Sequence, residues 1–293
     1  MSDGKREKSL RRSRGRLVRA ITRPPFHDEL GLKPWFERIA RANPHVVRSI
    51  QLEINGWPRW TRPLRVVFLS DFHTGSHSGD PARLERIIAE AQTFSPDLAL
   101  FGGDFVNMQL FGGGRVPPET IAATLARLDA PCGRYAVLGN HDYIYGAEEI
   151  VAVLRRHGIV VLDNEQRAVI FDGRVIDIVG IPDARVQRPR SKQVLAGLSP
   201  NQPTIVLAHD PVWFAAVPAG PHLTLAGHTH GGQVSLPVLG VVKNSSKAPL
   251  RWSHGLIAER GQYLYVTSGV GTSGVPWRWR VPAEFVVLDL TGT

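Results

Sequence analysis

Five short apolar runs in this chain end in the same way, on carboxylates, imidazoles or amides. LRVVFLS (64–70) leads into Asp71-Phe72-His73, and DLALFGG (97–103) leads into Asp104. RYAVLG (134–139) leads into Asn140-His141-Asp142, and TIVLAH (204–209) ends on His209-Asp210. LTLAGH (223–228) opens the stretch Gly227-His228-Thr229-His230-Gly231-Gly232. Continuous β-branched runs of this kind read as strands buried on both faces. In α/β sheets, ligands bind at the carboxyl ends of strands. The pattern thus calls for a sheet whose strands deliver polar groups to one edge.

The segments between these runs fix the class. Leu84, Ile87, Ile88 and Ala91 lie on one helical face, residues 119–128 carry Ile121, Leu125 and Leu128 on another, and Glu148–Arg156 is helix-like. Further strand-like runs follow at 159–162, 167–171, 175–180, 263–268 and 284–290. An early β-α-β-α-β order and a strand-rich second half predict an α/β protein with two packed sheets flanked by helices. With 293 residues, 43% of them hydrophobic, the chain can bury a large core without a covalent staple. Cys132 is the single cysteine, so no intrachain disulfide can form, and it reads as a packing residue. Gly112-Gly113-Gly114 lacks the GK[ST] ending of a phosphate loop and reads as a flexible connection.

Taken singly, each polar cluster has a plain structural explanation. A lone histidine is more often a satisfied core residue, and Asp104 alone could cap a helix or a turn. The ordered set at five strand ends argues for chemistry. Two carboxylates, several imidazoles and an Asn, without thiolate, form a mixed N/O donor set suited to Mn, Fe or Zn. Residues i and i+2 of an extended segment point the same way, so Asp71 with His73, and His228 with His230, can each reach one ion. One tetrahedral zinc would not need so many donors. Two ions sharing a carboxylate would.

The order DxH, GD, GNHD, H and GHTH resembles the calcineurin-like metallophosphoesterase family over roughly residues 64–290. The resemblance implies a four-layer αββα sandwich of two mixed sheets, with two divalent metal ions, Mn2+ as first choice and Fe or Zn as alternatives. It implies that Asp71, His73, Asp104 and His230 hold one ion. Asp104, Asn140, His209 and His228 would hold the other, with Asp104 bridging. His141 would be a catalytic non-ligand beside the scissile phosphate, and Asp142 is expected to orient it. The implied activity is hydrolysis of phosphodiester or diphosphate bonds by a hydroxide bridging the two metals. GHTHGGQ together with SGVGTSGVPWRWRVPAE is similar to a bacterial branch of often membrane-associated phosphoesterases. That branch includes enzymes of lipid A biosynthesis that cleave UDP-diacylglucosamine. Arg278 and Arg280 are candidates for clamping a substrate phosphate, with solvated arginines on a strand edge as the alternative. A nucleic-acid or nucleotide phosphodiesterase and a non-catalytic scaffold on the same fold are the competing readings.

The charge is uneven. Residues 1–65 hold 16 of the 35 Lys and Arg and 6 of the 26 Asp and Glu, a net of +10. The remaining 19 basic and 20 acidic residues give −1. The chain thus divides into a basic arm, 1–63, and a body, 64–293. Within the arm, Leu32, Trp35, Phe36 and Ile39 form one helical stripe, with Lys33, Arg38 and Arg41 mainly off it. Residues 5–42 could lie on an anionic membrane or pack on the body. Nothing resembles a zinc finger, an RNP motif or a helix-turn-helix, so nucleic acid is not the expected partner. The arginines precede no apolar stretch of secretory type, and no run approaches the length of a membrane span. The expected location is cytoplasmic, or peripheral on the inner face of the membrane. His27, His45, His157, His222 and His254 fall outside the motif set.

Overall fold

The computed structural model describes residues 43–293, apart from 78, 109–113, 187, 238, 239, 242 and 275. The amphipathic stripe at 32–42 and the rest of the arm up to residue 42 lie outside the described residues, as does most of the triple-glycine loop. Twelve strands form two six-stranded mixed sheets. The first contains β1 (Val46–Ile54), β2 (Leu64–Leu69), β3 (Leu98–Phe101), β4 (Arg134–Ala136), β5 (Val160–Val161) and β12 (Glu284–Gly292), in the order β1-β12-β2-β3-β4-β5. The second contains β6 (Glu165–Phe171), β7 (Arg174–Ile181), β8 (Thr204–Ala208), β9 (His222–Ala226), β10 (Gly255–Glu259) and β11 (Gln262–Val266), in the order β10-β11-β9-β8-β7-β6. Among the described residues, five α-helices accompany them: α1 (Ala82–Thr93), α2 (Pro118–Leu125), α3 (Asn140–Tyr145), α4 (Ala147–Arg156) and α5 (Arg188–Ala196).

The period-two alternation of strand side chains sorts the core into layers. In β2, Val66 and Phe68 face the space between the sheets, where they meet Ile178, Ile205 and Leu225. Val67 and Leu69 point the other way, under Ile87 of α1, Ile121 of α2 and Leu154 of α4. On the far side, Ile181, Val206 and Ala208 are covered by Leu195 of α5 and by Trp213. The result is the four-layer αββα sandwich. Near-continuous apolar runs were required in the inner strands, which are covered on both faces.

The register sets where the polar clusters go. β2 and β3 run parallel with Leu69 opposite Phe101, so Ser70 and Gly102 leave the sheet together. β8 and β9 run parallel with Ala208 opposite Ala226, which brings His209 beside Gly227. A Cβ on Gly227 would collide with the Ser70 hydroxyl and the Asp71 carboxylate, so only glycine lets the two sheet edges close here.

The expected boundary at residue 64 misses one element. β1, N-terminal to it, pairs in parallel with β12 along its whole length, Val46 opposite Glu284 through Ile54 opposite Gly292. Its alternation of apolar and polar residues marks an edge strand with one solvated face. Among the described residues, no helix is long and apolar enough to cross a membrane.

Candidate metal centre

The residues after β2, β3, β4, β8 and β9 meet at one rim. Asp71, His73, Asp104, His228 and His230 all have positive φ, between +38° and +68°. Non-glycine residues adopt this conformation at a cost of about 1–3 kcal/mol each. The turns hold it because backbone bonds tie one to the next: Asp71 N–H donates to Gly103 O at 2.9 Å, and His73 N–H to Asp104 O at 2.8 Å.

Two groups of side chains result, sharing one carboxylate. Asp71, His73 and His230 converge in the first, with Asp71 Oδ1 at 3.5 Å from His230 Nε2. Asp104, His209 and His228 converge in the second. The Asp104 Oδ2 atom is 3.5 Å from His73 Nε2 and 3.5 Å from His209 Nε2, so it stands between them. Its Oδ1 accepts the His141 N–H at 2.8 Å. Asn140, the first residue of α3, leads from Gly139 to His141 at the same place. A Cβ on Gly139 would overlap both the Asp104 carboxylate and the His209 ring.

The donor atoms fit a cation pair. His209 Nδ1–H donates to Gly102 O at 2.7 Å, which leaves the Nε2 lone pair facing Asp104. That Nε2 and Asn140 Oδ1 are buried with no hydrogen-bond partner among the described residues. His73 Nε2 and His230 Nε2 face each other at 3.1 Å. Buried polar atoms are almost always satisfied, so such orphans in one place need a missing partner. The electrostatics agree. Burial, together with the Asp104 charge and against the pull of His209, raises Asp71 to about 7. Burial and the Asp104 charge do the same to Asp142. Burial lowers His73 to about 3, with His141 adding to the effect. Burial would lower His209 too, but the Asp104 and Asp71 carboxylates raise it to about 9.

Residues 64–232 match the calcineurin-like phosphoesterase family. The chain belongs to that family. It is 30% identical over 258 residues to the metallophosphoesterase Cj0846 of Campylobacter jejuni, covering 84% of this chain and 63% of that one. It is 26% identical over 261 residues to the metallophosphoesterase YkuE of Bacillus subtilis, covering 85% and 87%. A Danio rerio transmembrane protein with metallophosphoesterase domain is 30% identical over 252 residues, covering 81% of this chain and 55% of that protein. The chain thus spans under two thirds of the Campylobacter relative. Family membership and the buried His/Asp groups make this domain a metal-dependent phosphoester hydrolase with a site suited to two metal ions.

Two expected roles change in this calcineurin-like phosphoesterase. Asp142 does not touch the His141 ring. Its carboxylate accepts the backbone N–H of Asp104 at 2.8 Å, Phe105 at 2.9 Å and Gly139 at 2.9 Å. Side chains at the start of α3 turn back toward the N–H groups of the first turn, so Asp142 ties the β3 and β4 loops together instead. The His141 ring stands edge-on to His73, centroids 4.6 Å apart, and its Nδ1 has no hydrogen-bond partner among the described residues.

Arg278 is not disposed as a substrate clamp, for it is 8% exposed. Its guanidinium donates to the carbonyls of Ser268 at 2.6 Å, Gly269 at 3.2 Å, Gly271 and His230 at 3.2 Å. It also lies 3.3 Å from His230 Nδ1. Arg280, two residues on, is exposed.

Sequence reasoning missed Asp183 and Arg185, which follow β7. Asp183, Asp210 and His228 form a further buried cluster beside the second group. The Arg185 Nη2 atom is 3.1 Å from His228 Nε2, and its side chain is 55% exposed. The cue in the sequence was one more apolar run ending in polar residues, VIDIVGIPDAR, with no repeated motif behind it.

Proposed function

We propose that the protein hydrolyses phosphodiester or diphosphate bonds with two divalent cations, Mn2+ first among the candidates. Asp71, His73, Asp104 and His230 would hold one, and Asp104, Asn140, His209 and His228 the other. The observation that carries this reading is the single Asp104 oxygen placed at 3.5 Å from both His73 Nε2 and His209 Nε2. Cations held there neutralise charge developing on the phosphoryl oxygens and acidify water at neutral pH. The protein's own groups do the rest. His141, its backbone fixed on Asp104, would protonate the leaving oxygen through its ring, a general-acid contribution of about 10²–10⁴-fold. Asp142 keeps the β3 and β4 loops at fixed separation. Arg185 and Arg280 are the exposed cations for the rest of an anionic substrate.

Within this class, a nucleotide-linked lipid such as UDP-diacylglucosamine is the proposed substrate. It is supported by the segment SGVGTSGVPWRWRVPAE and by exposed tryptophans beside the His228–Gln233 turn. The Danio rerio relative, named as a transmembrane protein, is a further pointer toward membrane-borne esters. The test is elemental analysis of protein purified without added metal, followed by turnover of a chromogenic phosphodiester and of UDP-diacylglucosamine. Two metal equivalents with turnover of both support the reading. Turnover of the chromogenic ester alone removes the lipid and keeps the hydrolase.

A further inference from the structure

Trp277 and Trp279 are the most exposed tryptophans described, at 48% and 45%. Large aromatic side chains left this open need a reason, especially as a pair two residues apart. They sit on the segment that carries Arg278, and the fold fixes them next to the site. Trp279 N–H donates to Gln233 O at 3.1 Å, and its carbonyl accepts Ser235 N–H at 3.1 Å. Gln233 closes the turn begun by His228 and His230. The 243–253 loop hangs from the same turn, because Thr229 Oγ1 donates to Ser253 O at 2.7 Å.

The charge around the pair is one-sided. Residues 211–283 contain six Lys and Arg and one acid, Glu259. Glu259 is already engaged by Arg251 at 2.7 Å. Lys243, Lys247 and Arg280 are exposed on these same segments, as is Leu250 at 50%. The acids that flank this stretch, Asp210 and Glu284, are buried, Asp210 accepting the Ser246 hydroxyl beside Lys247. Tryptophan prefers the membrane–water interface, where its ring is half apolar and half wet. Lys and Arg near an anionic bilayer each add attraction that salt screens. Burial in a core, by contrast, would not leave the cations beside the rings.

We propose that the rim formed by Trp277 and Trp279 with Lys243, Lys247 and Arg280 docks on an anionic phospholipid surface and holds the metal centre facing it. This contact is separate from residues 5–42 and does not depend on which ester is cleaved. It accounts for an aromatic pair tied by backbone hydrogen bonds to the site's own turn, which would set the orientation of the pocket toward the surface.

The test uses the full chain and vesicles of phosphatidylcholine with phosphatidylglycerol. The double variant Trp277→Ala/Trp279→Ala should partition roughly tenfold less at physiological ionic strength than the unaltered chain. A second measurement needs no disruptive change. In a Trp35→Phe/Trp60→Phe background, which leaves Trp57, Trp213, Trp252, Trp277 and Trp279, brominated phosphatidylglycerol should quench fluorescence of the otherwise unaltered protein. Trp57, Trp213 and Trp252 are buried and out of its reach. Equal partitioning of the two forms, or absence of quenching, overturns the proposal. So does a change from dimer to monomer in the double variant with vesicle binding intact, which would assign the face to a second copy of the chain. Hydrolysis of a soluble ester reports on the metal centre alone, so failure of docking and failure of the hydrolase reading are told apart.

Discussion

His228 and His230 come from one turn and point toward one pocket, yet they are supported in different ways. The outer nitrogen of His230 meets Arg278, an almost wholly buried cation fastened to four carbonyls. The outer nitrogen of His228 meets Ser245 O at 3.1 Å and Arg185 at 3.1 Å, both on the solvent side. The inner half of the centre, Asp71, His73 and His230, is therefore locked by the body of the protein. The outer half, Asp104, His209 and His228, borders loops that solvent and substrate can reach. Partners behind a metal ligand commonly tune affinity by 10–100-fold, and a buried partner is harder to replace than an exposed one. The inner half reads as the structural anchor and the outer half as the working face.

Asp104 belongs to both halves, so its loss should erase the distinction. Asp104→Ala should lower kcat on a chromogenic phosphodiester by more than about 100-fold, exceeding what second-layer partners cost, and should drop metal content below two equivalents. Near-normal turnover with two metals retained would break the bridge assignment. Arg278→Met probes the anchor. It strands several buried carbonyls, and each such group costs about 1–3 kcal/mol, so thermal stability should fall clearly. Metal content should fall with it, by loss of one equivalent before the other. A variant that keeps both its melting temperature and its metals would show that the anchor is illusory.

Arg185→Ala probes the working face and should do the opposite. An exposed ion pair contributes about 0–1 kcal/mol, so stability and metal content should hardly move. KM for a phosphodiester should rise up to about tenfold with a smaller change in kcat. A kcat loss with KM unchanged would instead place Arg185 in the reacting geometry.

The smallest effect is a pH slope. Glu284 on β12 accepts Ser268 N–H at 3.1 Å, and Ser268 O in turn receives Arg278. Burial pushes the Glu284 carboxyl up, but its hydrogen bond with His254 and the Ser268 and Tyr265 donors hold it below the usual value. A carboxyl with a lowered folded pKa adds stability above its unfolded pKa, about 4.3, and that stability is lost as pH falls through the folded value. Glu284→Gln should therefore flatten the acid side of the stability curve. A curve of unchanged slope would detach Glu284 from the anchor.

Most of this architecture was legible because it is written in runs. The strand ends declared themselves by apolar stretches stopping on Asp, Asn or His, and the register then had little choice but to gather them. What escaped was written in depth instead. Arg278 looks like any surface arginine in WRWR, since the carbonyls that bury it come from residues 230 and 268–271. Asp142 looks like a partner for its neighbour His141, because adjacency is visible and the backward turn of a helix start is not. Asp183 and Arg185 stand at a strand end with no companion motif. β1 was missed because its solvated face dilutes the apolar signal and its partner, β12, lies more than two hundred residues away.

That last pairing has a consequence for synthesis. β12 lies between β1 and β2, antiparallel to one and parallel to the other, so the first sheet stays split until residue 292 has left the ribosome. A nascent chain that already displays every candidate metal ligand still lacks the strand that joins β1 to β2, and with it the Glu284 support of the anchor. The inner half of the centre thus leans on a strand that lies well beyond His230, the last of its candidate ligands in the chain.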